Sequence, residues 1–256
     1  MGIMQNSGNN LPAFNLGYSA TIGSMYIRTP EVEAKLAAIK AEVGEVEWKK
    51  GYQGPKSKAV ELARKEKISG IRINGTLTSV RIREAEADGR KTIYLAVGMK
   101  DAEGRYYLSV DMASEAAQKL ARKLVNCKPG VETEISMFAT LDEQKDGQAR
   151  AYASHGASVK QDGSEVPSLS PAVELKPLVD GAMSALAAAG VDDKETMAKR
   201  RSKVTTEYHV KIVNAKAEEF AAFYKQRELP SESDHDASDM PPPLPPEAYA
   251  NDPFDF

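Results

Sequence analysis

Between residues 68 and 112 apolar and polar residues alternate with a period of two, in "ISGIRINGTLTSVRIREAEADGRKTIYLAVGMKDAEGRYYLSVDM". That period predicts three strands joined by two hairpins, with "EADGR" and "KDAEGR" as the turns. The period then changes. "ASEAAQKLARKLVNCKPG" repeats its apolar residues at Ala117, Leu120, Leu124 and Val125, the spacing of a helix. Two more strands follow, "VETEISMFATL" and "QARAYASHGASV", joined by "DEQKDG".

The flanks read differently. Residues 1–24 are rich in Asn, Gly and Ser, with scattered Phe14, Leu16, Tyr18 and Ile22, and are expected as an irregular arm that docks in places. "TPEVEAKLAAIKAEVG" places Pro30 in a first turn and Gly44 past the end, which predicts a helix. A Gly-rich loop with Trp48 and Tyr52 leads into a short basic helix over 56–66. After the strands, 161–177 reads as a linker and "LVDGAMSALAAAG" as a short apolar helix. A long helical segment follows from an Asp cap, with an interruption expected near 204–206, where Val and Thr lower the helix propensity.

Strand, strand, strand, helix, strand, strand is the order of the OB-fold, a small Greek-key barrel. The expected fold is therefore α+β, mainly β: a five-stranded OB-fold barrel with flanking N- and C-terminal helices and a disordered acidic tail. The expected divisions are an arm with helices over 1–67, the barrel over 68–160, the linker over 161–177, a helical segment over 178–229 and the tail over 230–256.

Alternation also sorts each strand into two faces. Ile71, Ile73 and Leu77 share one parity and Val80 and Ile82 the other, so a bulge is expected between Gly75 and Ser79. Ile93, Leu95, Val97, Met99, Tyr106, Leu108, Val110, Ile135, Met137 and Ala139 then point inward, with Ala149, Ala151 and Ala153 on one face of the last strand. The opposite face carries Arg72, Arg81, Arg83, Tyr94, Arg105, Tyr107, Phe138, Arg150 and Tyr152. An exposed aromatic can stack on any base, worth about 1–3 kcal/mol per base, and arginines neutralise phosphates. The competing reading is that these aromatics pack beneath the flanking helices.

Charge sharpens the picture. The formal net charge is −3, which by itself points away from nucleic acid. The last 26 residues, "SESDHDASDMPPPLPPEAYANDPFDF", hold seven acids, six prolines and no Lys or Arg, so the body carries 34 bases against 30 acids. A mildly basic body with an acidic tail is an asymmetry that points to nucleic acid or to self-competition by the tail. Further basic segments are "EWKKGYQGPKSK", with Trp48, Lys49, Lys50 and Tyr52, and "AKRRSKV", with Lys199, Arg200, Arg201 and Lys203. The first reads as a core anchor or a stacking site, the second as a solvated helix face or a secondary phosphate contact.

One cysteine, Cys127, excludes an intrachain disulfide and fits a reducing cytoplasm. No secretory signal is expected at the N-terminus, and no apolar run approaches the ~20 residues of a membrane span. There is no G-x-x-x-x-G-K-[ST] or G-x-G-x-x-G loop and no G-x-S-x-G elbow, and His155, His209 and His235 stand apart. His155 reads as structural. The expectation is a binder without cofactor or metal, and not an enzyme.

The tail closes on "NDPFDF". Its acids have no internal partners and its prolines keep it extended. Phe254 and Phe256, between Asp252, Pro253, Asp255 and the terminal carboxylate, suit a basic-rimmed apolar pocket on another protein. With the strand order, this tail resembles the single-stranded DNA-binding proteins of bacteria and bacteriophages, in which an OB-fold core is followed by an acidic tail ending on Phe. Asp252-Pro253-Phe254 resembles the bacterial ending and Asp255-Phe256 the phage ending. The resemblance implies a protein that coats single strands in replication, recombination and repair. It also implies that the tail recruits a polymerase, helicase or nuclease and competes with DNA. Two helices before the barrel and about 50 helical residues after it depart from the bacterial pattern, and could supply a dimer interface. The rival readings are an RNA-binding module of the same fold, a protein–protein adaptor, and an enzyme with a hidden carboxylate site.

Overall fold

The computed structural model describes residues 11–87, 89–143 and 151–226. The tail from 227 onward, with its partner-binding residues, and Arg150 lie outside the described residues. The fold is mixed α+β: an eight-stranded sheet and six helices.

The expected core succession is present. Strands β3 (Ile73–Ala87), β4 (Arg90–Lys100) and β5 (Arg105–Asp111) are followed by helix α4 (Glu115–Leu124) and by β6 (Glu132–Leu141) and β7 (Ala153–Gln161). The bulge falls between Leu77 and Ser79, where Leu77 pairs with Met99 and Ser79 with Gly98. It lets Leu77 and Val80, of opposite parity, both point into the core, 0% and 1% exposed.

The N-terminal segment corrects the expectation of an irregular arm. Residues Ala13–Ser19 and Ser24–Ile27 form a hairpin, β1 and β2, that enters the same sheet. β1 runs parallel to β5, Ala13 beside Arg105 and Leu16 beside Leu108. β2 reaches β6 at Ser24 and Phe138. The hydrogen-bonded order β2-β1-β5-β4-β3-β6 thus closes on itself as a ring of six strands, not five. β7 lies against the outer edge of β6, and the two-residue β8 (Ser164–Glu165) against β7.

The ring's interior is filled by Leu16, Met25, Leu77, Leu95, Met99, Leu108 and Ile135, all at most 1% exposed. α4 covers this core with Ala116, Ala117, Leu120, Ala121 and Leu124, and Ser114 caps its first turn by accepting from the Ala117 N–H. A second, smaller cluster sits outside the hairpin. Ile22 and Tyr26 pack there with Leu36 and Ile39 of α1 (Pro30–Val43), Ala63 of α3 (Lys58–Lys65) and Ile68.

The segment expected as a linker is docked. Val166 is 5% exposed in the main core, the Leu169 N–H donates to the Arg122 carbonyl, and Asn126 donates to the Pro167 carbonyl. α5 begins at Leu175 and ends at Ala188. α6 runs unbroken from Lys194 to Gln226, so the expected interruption near 204–206 does not occur. Val204 is buried there, and tertiary packing outweighs the propensity deficit of Val and Thr. α6 packs on α4 and β3 through Val213 and Phe220, and the Tyr224 hydroxyl donates to the Leu77 carbonyl at the bulge.

The closure is tightest at Gly23. Its φ is +67°, its carbonyl accepts from the Ala139 N–H at 3.1 Å, and a Cβ there would stand 2.6 Å from the Ala139 Cβ. Gly190, between α5 and α6, has a similar φ of +76° but open space around it. Both substitutions to Ala carry the left-handed backbone cost of about 1 kcal/mol, and only Gly23→Ala adds a clash against β6. Urea denaturation should show Gly23→Ala to be the more destabilising by about 1–3 kcal/mol; equal losses would mean that the contact with β6 does not hold the ring.

Candidate nucleic-acid interface

The register of β3, β4 and β5 builds the outward face row by row. Arg83 lies opposite Tyr94, and Tyr94 opposite Asp111. Arg81 lies opposite Ala96, and Ala96 opposite Ser109. Ser79 faces Gly98, Gly98 faces Tyr107, and Tyr107 is flanked on its other side by Asn15 of β1. Thr76, Lys100 and Arg105 form the last row. The middle of the face is made of Ala96, Gly98, Ser79 and Ser109, and larger cations and aromatics surround it. This face, here called the trough, has buried small residues, Ala96 and Gly98, at its centre.

Five sequence-predicted residues, Arg81, Arg83, Tyr94, Arg105 and Tyr107, meet on this face. Tyr94 has a different part from the expected one. Its ring is 7% exposed and the Arg83 guanidinium lies over it, 6.0 Å from the ring centroid. The ring therefore holds a cation in place and does not present a stacking surface. Tyr107, half-buried on the adjacent strand, is the aromatic with accessible area on this face. Lys100, of the same parity as Tyr94 on β4, adds a cation to this face. Asp111 was missed, although parity continues the outward series Arg105, Tyr107, Ser109 onto it.

Phe138 and Tyr152 lie elsewhere. β3 meets β6 only over Ile73–Thr76, and Phe138 sits further along β6, where β2 closes the ring. Its ring is laid over Gly156, whose added Cβ would stand 2.7 Å from the ring, and it is 42% exposed. Tyr152 is 57% exposed just before β7, with its carbonyl accepting from the Asp142 N–H. Arg72 is exposed immediately before β3. These residues do not extend the trough.

The Trp48 segment is on the far wall of the ring, beside the β1–β2 turn. Trp48 packs on the small cluster under α1 and α3, and its carbonyl accepts from the Thr21 hydroxyl. Tyr52 borders Gly23. Lys49 and Lys50 pair with Glu45 and Glu47 of their own helix, α2 (Glu45–Lys49) and its end. The α6 run is exposed, but Lys199 pairs with Glu195 and Lys203 with Glu207. Arg201 lines an open cavity of about 480 Å³ with Gln118, Lys194, Met197 and Thr205.

His155 is buried where β7 passes α4. Its Nδ1 is 2.7 Å from the Tyr18 hydroxyl, which donates to the Phe138 carbonyl. The His155 N–H donates to Glu115, which pairs with Lys119. Burial pushes the Tyr18 phenol far up and the His155 imidazole down. Among the described residues no three metal-ligating side chains gather, and no helix is long and apolar enough to cross a membrane.

Comparisons with protein-family models, curated proteins and solved structures return no match. The trough therefore rests on its own geometry. It can place several cations and one aromatic across three neighbouring strands.

The buried histidines set a pH window. His155 and His209 both have imidazole pKa values lowered by burial from the ordinary 6.5. The unfolded chain therefore binds protons that the folded chain refuses. Their contribution to stability is complete above about pH 6.5 and falls as pH drops below it. The urea midpoint should be flat from pH 8 to 7 and decline between pH 6.5 and 5, above the carboxylate range. A midpoint that is flat down to pH 5 would contradict the burial of both imidazoles.

Proposed function

We propose that the chain binds single-stranded DNA across the trough of β3, β4 and β5. It acts as a coating protein of replication, recombination and repair, in the manner of the bacterial and phage single-stranded DNA-binding proteins it resembles. The observation that carries this reading is the set of rows Arg83–Tyr94, Arg81–Ala96, Gly98–Tyr107 and Lys100–Arg105. Cations spread over three neighbouring strands suit a phosphate backbone, and the residues between them carry no bulky side chain. The order of β3, β4, β5, α4, β6 and β7 matches that of the OB-fold, and the added hairpin β1–β2 takes the closing position of the ring. Phe138 and Tyr152 supply a second stacking site further along the ring.

The acidic tail is the regulatory part of the reading. Its seven acids complement the trough's cations, so it competes with DNA, and its terminal aromatics recruit a replication or recombination protein. A groove built for phosphates and stacking has little sequence preference and steep salt dependence.

Fluorescence anisotropy of a labelled 30-mer, titrated over a range of salt concentrations, tests this. The logarithm of affinity should fall linearly with the logarithm of salt concentration, by about 0.7 per phosphate contact. Arg81→Ala with Arg83→Ala should weaken binding and reduce that slope by roughly 1.4. A slope unchanged by the double substitution would remove the phosphates from this face, and no binding by the wild-type chain would remove the reading itself.

A further inference from the structure

We infer that the acidic tail docks on its own chain: the aromatics of "DPFDF" enter the cavity between α4 and the N-terminal half of α6, and Asp252 and Asp255 are held there by Lys194 and Arg201. That this docking shields the trough rests on the single-strand reading; the docking itself does not.

The cavity has the chemistry of such a segment. It is open and holds about 480 Å³. Lys194, Met197 and Arg201 follow one another along α6 at the three- and four-residue spacing that puts side chains on one helix face. Ala198 adds a small apolar side chain, and Gln118 of α4 forms the facing wall. The Gln118 amide donates to the Met112 and Ala113 carbonyls at 3.3 and 3.1 Å, which fixes that wall. The two cations differ from their neighbours on the helix. Lys199 pairs with Glu195 and Lys203 with Glu207. Lys194 and Arg201 form no ion pair among the described residues, and Asp192 is the one acid in the lining. Two unpaired cations beside a methionine suit an anion joined to an apolar group, whereas a phosphate backbone would leave the methionine unused. The chain carries that chemistry itself. Its last 26 residues have seven acids and no Lys or Arg, and Phe254 and Phe256 stand on either side of Asp255.

Reach and direction agree. α6 ends at Gln226, and its Tyr224 hydroxyl donates to the Leu77 carbonyl, next to the row of Thr76, Lys100 and Arg105. The Gln118 wall is bonded to the turn that follows Asp111, in the row at the other end of the trough. A tail leaving Gln226 thus starts at one end of the trough and finds the cavity at the other. Back along α6 from Gln226 to Arg201 is about 38 Å. The chain from Gln226 to Asp252 can span up to roughly 85 Å. Glu232, Asp234, Asp236 and Asp239 lie between these points in the sequence, available to the trough's cations. A tethered segment acts at about millimolar effective concentration, so a weak fit in the cavity suffices to hold it.

Zero-length carbodiimide cross-linking of the full-length chain, mapped by mass spectrometry, tests the docking without DNA. Asp252 or Asp255 should join to Lys194 within the monomeric species, at a yield independent of protein concentration. Phe254→Ala with Phe256→Ala should abolish that link. Links from these acids to Lys100 alone would place the segment in the trough, and a Lys194 link found only in cross-linked dimers would make a second copy the host. Either result, or no link to Lys194 at all, would overturn the inference. A second measurement reads the shielding. Lys194→Ala with Arg201→Ala unpins the tail, so the affinity of the full-length chain for an oligo-dT 30-mer should rise by roughly threefold to tenfold. A fall would make these cations phosphate contacts, and no change would mean that the docked tail leaves the trough open; both would overturn the shielding. A chain that gives the Lys194 link but binds no oligo-dT would lose the single-strand reading and keep the docking.

Discussion

The structure depends on how the sheet is closed. β3 to β7 bury one face of a twisted sheet, but they leave a gap between β5 and β6. The hairpin β1–β2 fills it by laying β1 parallel to β5 and bringing Ser24 and Gly23 against Phe138 and Ala139. Leu16 and Met25, at most 1% exposed, come from this hairpin and belong to the same core as Leu95 and Ile135. A core residue of that size contributes on the order of 2–5 kcal/mol when measured by truncation, which rivals the net stability of a small domain. The N-terminal segment is therefore part of the folding unit. Its outer surface is in turn occupied by α1 and α3.

This closure also decides how the outward faces are divided. α1–α3 cover the wall formed by β1 and β2, α4 covers the core, and α6 lies on α4 and part of β3. On the outward face of β4, Tyr94, Ala96 and Gly98 are buried, and Tyr107 on β5 is half-buried. Arg81 and Arg83 of β3, Lys100 of β4 and Arg105 of β5 lie around them. In that setting Tyr94 does more by holding Arg83 than by offering its own ring: a fixed guanidinium pays less ordering entropy when it meets a phosphate.

Much of this was legible in the sequence. Alternation located the core strands, and the parity switch between Leu77 and Val80 located the bulge, because a strand with one buried face cannot change parity without an extra residue. The hairpin was harder to see. Phe14, Leu16 and Tyr18 do alternate, but Asn15 and Gly17 are poor strand formers, and the partner of β1 is a parallel strand about 90 positions away, which leaves no turn signature. The uninterrupted α6 shows the converse, since buried Val204 and Tyr208 outweigh a local propensity deficit. For the site, parity gave the direction of each side chain but not its position along the ring. That is why Phe138 and Tyr152 were grouped with a trough from which the register separates them, and why the burial of Tyr94 was invisible.

The central claim is that single strands lie across β3, β4 and β5. Ultraviolet crosslinking of the full-length chain to a single-stranded oligonucleotide, followed by mapping of the modified peptides, addresses it most directly. The account predicts crosslinks in the β5 peptide at Tyr107, reduced in the presence of high salt. Crosslinks confined to the Phe138–Tyr152 region or to the Trp48 loop, with none on β5, would contradict it.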